Sequence, residues 1–293
     1  MKTVAIFGVG LIGGSFALAL RKAGFEGRII GVSSHDTIRA ALSAGVIDEA
    51  LPAPQAAAQA DLVYLSQPIW KIIDCLEELD SFVQPGALIT DAGSTKQAIV
   101  NRASQVISRG QFLGGHPMAG RERRGVEAAE ADLFQGRPYV LTPQSASDLE
   151  TPAAREFLSW IPRIGSFPVI MDPQQHDRTV AFTSHLPQLA ATALAATLDG
   201  RREAQTGVYG PALVDSTRLA LSSFDIWGDI FDTNRDQILV ALETYIEKLE
   251  VFRQALDRDA MRRHFDAAGH LARQLRNRPA EAHTNIYDNK DFV

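Results

Sequence analysis

The chain has 293 residues, 45% of them hydrophobic, which is enough to fill the cores of two domains of ordinary size. Its formal net charge of −6 argues against a nucleic-acid-binding protein, because such proteins usually carry a basic face. A single cysteine excludes an internal disulfide and a thiolate metal cluster, and no run of about 20 apolar residues is present to cross a membrane. We therefore expect a cytoplasmic protein with neither nucleic acid nor membrane as a partner.

The first 172 residues alternate short apolar runs with helical stretches, which is typical of a parallel β-sheet joined by crossover helices. Strands are predicted at Thr3–Phe7, Arg28–Val32, Asp61–Ser66, Ala87–Thr90, Phe112–Gly115, Tyr139–Thr142 and Ser166–Met171. Helices are predicted at Ile12–Ala23, Ile38–Ala44 and Ile69–Leu79. The pattern indicates an α/β domain over residues 1–172.

The second part of the chain has no strand pattern. Residues Gln174–Leu198 are rich in Ala, Leu and Thr, and Asn234–Leu256 carries apolar residues at helical spacing, a pattern that Asp259–Arg276 continues. These features predict an all-helical domain over residues 173–278. The remaining residues, 279–293, are polar, and we expect them to form a mobile tail.

A glycine motif, GVGLIG, lies between the first predicted strand and the first predicted helix. That position is the one a dinucleotide-binding fold requires. Gly8 permits a tight turn, Gly10 lets the backbone approach a pyrophosphate, and Gly13 lets helix and strand pack closely. The residues expected to contact the dinucleotide here are Gly8, Gly10, Leu11, Ile12 and Gly13.

The choice between NAD and NADP depends on the end of the second strand, where NAD enzymes place an acid that holds the ribose 2′-hydroxyl. Ser33 occupies that position here, and Ser34 and His35 follow it. These three side chains can donate hydrogen bonds to a 2′-phosphate, and Arg39 lies one helical turn further on. Asp36 is also near, so the sequence favours NADP and leaves NAD open.

Three further motifs follow predicted strands or lie in the helical part: DAGSTK at 91–96, GGHPMAG at 114–120 and SHLPQ at 184–188. Together with the glycine motif, in this order and spacing, they resemble prephenate and arogenate dehydrogenases, over nearly the whole chain from Val4 to about Leu256. The resemblance implies a Rossmann-type domain followed by a helical dimerisation domain, a homodimer, and an active site in the cleft between the domains. The implied reaction is the oxidative decarboxylation of tyrosine biosynthesis.

The resemblance implies that His116 is the catalytic base. It would take the proton of the substrate's C4 hydroxyl while hydride passes from C4 to the nicotinamide, and loss of carbon dioxide would then aromatise the ring. A histidine suits this task because its unperturbed pKa lies near neutrality. Ser94 resembles the family serine that lies near this hydroxyl and the cofactor. The alternatives are a structural histidine and a helix-capping serine.

Five further residues correspond to substrate contacts in the family. His185 resembles the histidine that contacts the substrate side chain, and Arg218 resembles the arginine that clamps a carboxylate. Glu122 and Asp215 match acids of an ionic gate, and Trp227 matches an aromatic residue that the second subunit contributes. The alternatives are a structural histidine, a surface pair between Asp215 and Arg218, and ordinary packing of Trp227.

Gln188 stands where many family members have a second histidine, which leaves both prephenate and arogenate open as substrates. An uncharged amide oxygen can accept from the ammonium of arogenate, so this position tilts the prediction toward arogenate, alone or with prephenate. The chain has no segment that corresponds to a chorismate mutase or ACT domain, and we expect a stand-alone enzyme. His35, His176 and His283 have no partner at ligand spacing, so no metal site is predicted.

Two other functions share parts of this pattern. A β-hydroxyacid dehydrogenase also joins a dinucleotide domain to a helical one, but it depends on a lysine from the helical part. No lysine occurs here between Lys96 and Lys248. A non-catalytic protein that senses dinucleotides would need neither His116 nor Arg218, and the presence of both favours an enzyme.

Overall fold

The structure is a computed structural model that describes residues 1–121 and 123–277. Contacts divide these residues into two compact units, the first of 1–177 and 221–233, the second of 178–220 and 234–277. The predicted tail and Glu122 lie outside the described residues, and the predicted domain limits at 172 and 278 stay a prediction. Every helix in the described ranges is too short or too polar to span a bilayer.

The first unit is built on one eight-stranded sheet. Its strands are β1 (Thr3–Phe7), β2 (Arg28–Val32), β3 (Glu49–Ala50), β4 (Leu62–Leu65), β5 (Leu88–Asp91), β6 (Gln111–Pro117), β7 (Pro138–Thr142) and β8 (Phe167–Ile170). They lie side by side in the order β3-β2-β1-β4-β5-β6-β7-β8. The seven predicted strands are confirmed to within two residues, and the two-residue β3 is the strand that the apolar pattern missed.

Helices connect most of these strands. They are α1 (Leu11–Lys22), α2 (His35–Ser43), α3 (Ala53–Gln59), α4 (Ile69–Phe82), α5 (Gln97–Val106) and α6 (Pro152–Arg163), and the same unit also contains α11 (Phe224–Thr233). The apolar residues of β1 are buried because helices cover the sheet, and the Phe16 ring of α1 stacks on Tyr64 of β4 at 4.0 Å. This is the predicted α/β dinucleotide-binding architecture.

The expectation of an all-parallel sheet is wrong at one pair of strands. β6 and β7 are antiparallel, with His116 opposite Val140. The physical reason is the connection between them, in which the structure has a short 3-10 turn at Val126–Ala128 where a parallel pair would need a crossover helix. The catalytic candidate His116 therefore lies on the strand at which the sheet changes direction.

The second unit is helical in the part of the chain that the structure describes. Its elements include a π-helical turn at Ala181–His185, α8 (Leu186–Leu198), α9 (Arg202–Gln205), α10 (Pro211–Thr217), a 3-10 turn at Arg218–Leu221, α12 (Arg235–Gln254) and α13 (Arg258–Arg276). The short helix α7 (Pro173–Val180) precedes the π turn. The predicted helical stripe of residues 234–256 is confirmed as α12.

Candidate active site

The glycine motif forms the turn between β1 and α1. Gly8 has φ +92°, its N–H donates to the Val32 carbonyl at 2.8 Å, and a Cβ at this position would lie 2.7 Å from the Ser66 carbonyl oxygen. A Cβ at Gly13 would collide with the Gly8 carbonyl oxygen, whereas a Cβ at Gly10 would meet no atom within 4 Å. The open side of Gly10 is the space that a pyrophosphate needs to approach the backbone.

Leu11 and Ile12 begin α1, and their backbone N–H groups lie in the first turn, where a helix has no internal acceptors. The strand order reverses between β1 and β4, so the glycine turn follows a strand next to the topological switch point. Ligands of open α/β sheets bind there. The residues present therefore fit a nicotinamide dinucleotide, and their contacts with it stay predictions.

The residues that would select between NAD and NADP follow β2. Ser33, Ser34 and His35 are exposed, and His35 begins α2. The Arg39 guanidinium donates to the Asp36 carboxylate. Asp36 therefore already has a cationic partner, and the three donors that precede it remain accessible from solvent.

His116 lies near the carboxyl end of β6 and is 9% exposed. Its Nδ1 is 2.8 Å from Nε2 of His176, and Nδ1 of His176 is 2.7 Å from Oδ1 of Asp177. The Asp177 carboxylate also accepts from the backbone N–H groups of Lys96 and Gln97, at 2.7 and 2.9 Å. Hydrogen bonds therefore connect His116 through His176 to the Asp177 carboxylate, which backbone N–H groups hold in place.

A buried ion pair lies beside this chain of hydrogen bonds. Lys96 is fully buried, and its Nζ donates to the Asp91 carboxylate and, at 2.8 Å, to the carbonyl of Gly115, the residue before His116. Burial lowers the pKa of Lys96, and the Asp91 charge opposes that shift. Asp91 also accepts from the N–H groups of Gly93 and Gly115, at 2.8 and 3.1 Å. The pair fixes the backbone from which His116 projects.

The second unit brings together three of the predicted substrate residues. His185 ends the π turn, is buried, and its Nδ1 lies 3.3 Å from Nδ2 of Asn234. Gln188, one turn further along the chain, donates through Nε2 to the carbonyl of Leu219 at 2.8 Å. Leu219 directly follows the exposed Arg218, so Gln188 anchors the segment that carries the proposed carboxylate clamp.

The other predicted site residues are distributed as follows. Ser94 is half-buried in the segment between β5 and α5, and Asp215 is exposed on α10. Trp227 lies on α11, where its ring centroid is 5.8 Å from that of Phe231. The roles of these residues, and that of Glu122, which lies outside the described residues, stay predictions.

Sequence patterns did not identify His176 and Asp177 as site residues. Spacing gives His176 no partner along the chain, because His116 is 60 positions away and the two meet only when α7 packs against the sheet. The sequence feature that could have indicated them is the adjacent histidine and aspartate, which begin eight residues before the SHLPQ motif. Within residues 1–121 and 123–277, no cluster of His, Cys, Asp and Glu could hold a metal ion.

The strand order, the glycine turn and the buried histidine at the carboxyl edge of the sheet define a dinucleotide-dependent oxidoreductase fold. Comparison with known families is more specific. Residues 16–159 match the model of the prephenate dehydrogenase nucleotide-binding domain, and residues 172–270 match that of the prephenate dehydrogenase dimerization domain. The chain belongs to the prephenate dehydrogenase family, and the resemblance of its motifs is confirmed.

Individual relatives agree with this assignment. Prephenate dehydrogenase of Bacillus subtilis (strain 168) is 36% identical over 264 residues, which cover 88% of this chain and 71% of the relative. The structure of prephenate dehydrogenase from A. aeolicus in complex with hydroxyphenyl propionate and NAD+ is 31% identical, with a TM-score of 0.84 over 94% of this chain and 98% of that chain. Synechocystis arogenate dehydrogenase is 30% identical, with a TM-score of 0.74 over 94% and 97% of the two chains.

Proposed function

We propose that this protein oxidatively decarboxylates prephenate, arogenate or both in tyrosine biosynthesis, with a nicotinamide dinucleotide as the hydride acceptor. The observation that carries the proposal is the position of His116. His116 lies near the carboxyl end of β6. Because β1, β4, β5 and β6 are parallel to one another, the residues after β1 and β5 lie at the edge where β6 ends. A general base and a dinucleotide turn therefore share one edge.

The proposed chemistry assigns one task to each residue. His116 accepts the proton of the C4 hydroxyl, and Ser94, in the segment after β5, orients that hydroxyl. A bound nicotinamide ring supplies the acceptor for the hydride that leaves C4. Arg218 pairs with a substrate carboxylate, and His185 contacts the substrate side chain. The C–C bond to the ring carboxylate then breaks, carbon dioxide leaves, and its bonding electrons complete the aromatic ring.

We propose that NADP is accepted at least as well as NAD. The support is the set of exposed donors after β2, namely Ser33, Ser34 and His35, and the pairing of Asp36 with Arg39. An acid that is paired with arginine repels a 2′-phosphate less than an isolated one does. The A. aeolicus relative was solved with NAD+, so NAD is also expected to bind.

The substrate side chain is proposed to be read by Gln188. Because a carbonyl oxygen only accepts hydrogen bonds, the Leu219 carbonyl at 2.8 Å requires the nitrogen of the amide to face it, and the same nitrogen lies 3.2 Å from the Thr192 hydroxyl. The amide can then offer only its oxygen to a ligand. An oxygen acceptor suits the ammonium of arogenate better than the keto group of prephenate, which supports acceptance of arogenate.

We also propose a homodimer that works in the cytoplasm. The family model of the helical part describes a dimerization domain. In the single chain, large apolar side chains on α11 to α13 are exposed, including Phe224, Ile226, Leu239, Val240, Ile246, Leu249, Phe265 and Leu271. Exposure of so many large apolar side chains on helices of one chain favours an interface. Trp227, also on α11, would reach the partner's site from such an interface.

The test is a turnover assay with both substrates and both dinucleotides, in which the absorbance of the reduced nucleotide reports the rate. The wild type should convert at least one of prephenate and arogenate. His116→Ala should lower kcat by roughly 10²–10⁴-fold with little change in dinucleotide affinity, because it removes a general base and no cofactor contact. Near-normal kcat in His116→Ala would assign another base, and a wild type inactive with both substrates would refute the function.

A further inference from the structure

Asp177, His176 and His116 form a continuous chain of hydrogen bonds that includes the proposed catalytic base. The two links are 2.7 Å, from Asp177 Oδ1 to His176 Nδ1, and 2.8 Å, from His176 Nε2 to His116 Nδ1. The three residues are 2%, 0% and 9% exposed, so water competes little for these bonds. Each histidine nitrogen in a buried chain must be either a donor or an acceptor, and the carboxylate end decides which.

Asp177 is a pure acceptor because of what surrounds it. Its Oδ1 accepts from the Lys96 N–H and its Oδ2 accepts from the Gln97 N–H, at the start of α5. Both oxygens therefore already accept from backbone N–H groups, and a carboxylate oxygen has no hydrogen to give. The carboxylate therefore presents a lone pair to His176, and Nδ1 of His176 must carry a hydrogen.

The hydrogen on Nδ1 of His176 determines where the ring hydrogen of His116 lies. Burial lowers the pKa of His176, an effect that Lys96 reinforces and that Asp177 and Asp91 oppose, so the ring is neutral near pH 7. A neutral imidazole with hydrogen on Nδ1 has a lone pair on Nε2. That lone pair accepts from Nδ1 of His116, which in turn leaves the lone pair of His116 on its Nε2.

We propose that His176 and Asp177 are positioning residues that hold His116 in the tautomer whose Nε2 accepts the proton of the substrate hydroxyl. The proposal rests on the proposed function for its chemical meaning. When His116 takes up the proton, its bond to His176 becomes charge-assisted, so the same contact also stabilises the cation that forms. In the serine-protease triad, a wrong histidine tautomer lowers kcat about 10⁴-fold, so a contact that sets the tautomer can have a large effect on kcat.

Substitutions at position 176 separate positioning from packing. His176→Gln can place its amide oxygen near Nε2 and keep an acceptor for His116, whereas His176→Leu fills similar space without an acceptor. We expect His176→Leu to lower kcat by about 10²–10³-fold and His176→Gln to recover at least tenfold of that loss, with dinucleotide Kd unchanged in both. Equal kcat in the two variants would overturn the proposal.

A double variant tests whether His176 acts through His116. Residues that act as a unit in catalysis are strongly non-additive. Adding His176→Leu to His116→Ala should therefore lower the remaining kcat less than threefold. A full further loss of 10²-fold or more would show that His176 acts independently of the base and would overturn its role as a positioning residue. Thermal unfolding of each variant checks that the domain is folded.

The tautomer can be measured without any turnover. Nitrogen-15 NMR of histidine-labelled protein distinguishes protonated from unprotonated ring nitrogens, and only seven histidines are present. The wild type should show His116 protonated at Nδ1 and unprotonated at Nε2. Asp177→Leu should abolish this preference, because no acceptor then holds the hydrogen on Nδ1 of His176. A wild-type His116 protonated at Nε2 would refute the positioning role even if turnover is found, whereas absence of turnover with the expected tautomer would refute only the proposed function.

Discussion

The two glycines that flank the start of α1 should fail in different ways when each is replaced by alanine. At Gly13 a methyl group would collide with the Gly8 carbonyl oxygen and lie 2.8 Å from Cγ2 of Ile6, so the helix must move away from the strand. At Gly10 a methyl group meets nothing within 4 Å, and the backbone at φ −91°, ψ −152° is open to alanine. Gly13→Ala should therefore lower stability, and Gly10→Ala should lower dinucleotide affinity.

The magnitudes follow from these contacts. Overpacking costs about 1–3 kcal/mol, and the upper end applies at Gly13 because its nearest neighbour is backbone that cannot rotate away. Alanine is about 1 kcal/mol more favourable than glycine inside a helix, so the net fall in the free energy of unfolding of Gly13→Ala is about 2 kcal/mol. This corresponds to a fall in Tm of about 4–8 °C. Gly10→Ala should lower the free energy of unfolding by about 1 kcal/mol, because alanine is a poorer N-cap residue than glycine. Its methyl group would also occupy the space of the pyrophosphate, so the dinucleotide Kd should rise at least about tenfold.

Thermal unfolding without nucleotide and fluorescence titration with NAD and NADP measure the two effects separately. Gly210→Ala is the matched control, because Gly210 is also an N-cap glycine, at α10, with nothing within 4 Å of an added Cβ. It should change Tm about as Gly10→Ala does and leave dinucleotide Kd unchanged. Wild-type affinity in Gly10→Ala, or a wild-type Tm in Gly13→Ala, would refute this account of the glycine turn.

Four further outcomes are expected. Arg218→Ala should weaken substrate binding by about 2–4 kcal/mol and so raise the substrate KM far more than it lowers kcat. An unchanged KM would show that Arg218 only forms a surface pair with Asp215. Ser33→Asp should shift kcat/KM toward NAD by repelling a 2′-phosphate, which a strong wild-type preference for NAD would contradict. Gln188→His should raise the prephenate-to-arogenate ratio of kcat/KM, and an unchanged ratio would exclude Gln188 from side-chain recognition. Lys96→Met should destabilise the protein by about 3–5 kcal/mol in chemical denaturation, because it leaves the buried Asp91 carboxylate without its cation, and a smaller loss than that of Gly13→Ala would contradict the buried pair.

Local patterns in the sequence were sufficient for most of the fold. The run of buried residues in β1, followed at once by the glycine motif and α1, identifies the dinucleotide turn because each feature involves neighbours along the chain. The same is true of α12, whose helical spacing predicted it to within two residues of each end. The antiparallel pairing of β6 and β7 was not predictable in this way, since strand direction depends on the connection and on packing rather than on the apolar run itself.

The sequence by itself determined the α/β class, the helical second part, the glycine turn and the residue types that predict hydride-transfer chemistry. Only the tertiary structure decided that His176 and Asp177 belong beside His116, that Lys96 is buried against Asp91, and that Gln188 holds the Leu219 carbonyl. The physical reason is distance along the chain. Hydrogen bonds between residues 31 or 60 positions apart leave no periodic trace, and the proton positions they impose depend on burial that packing alone creates.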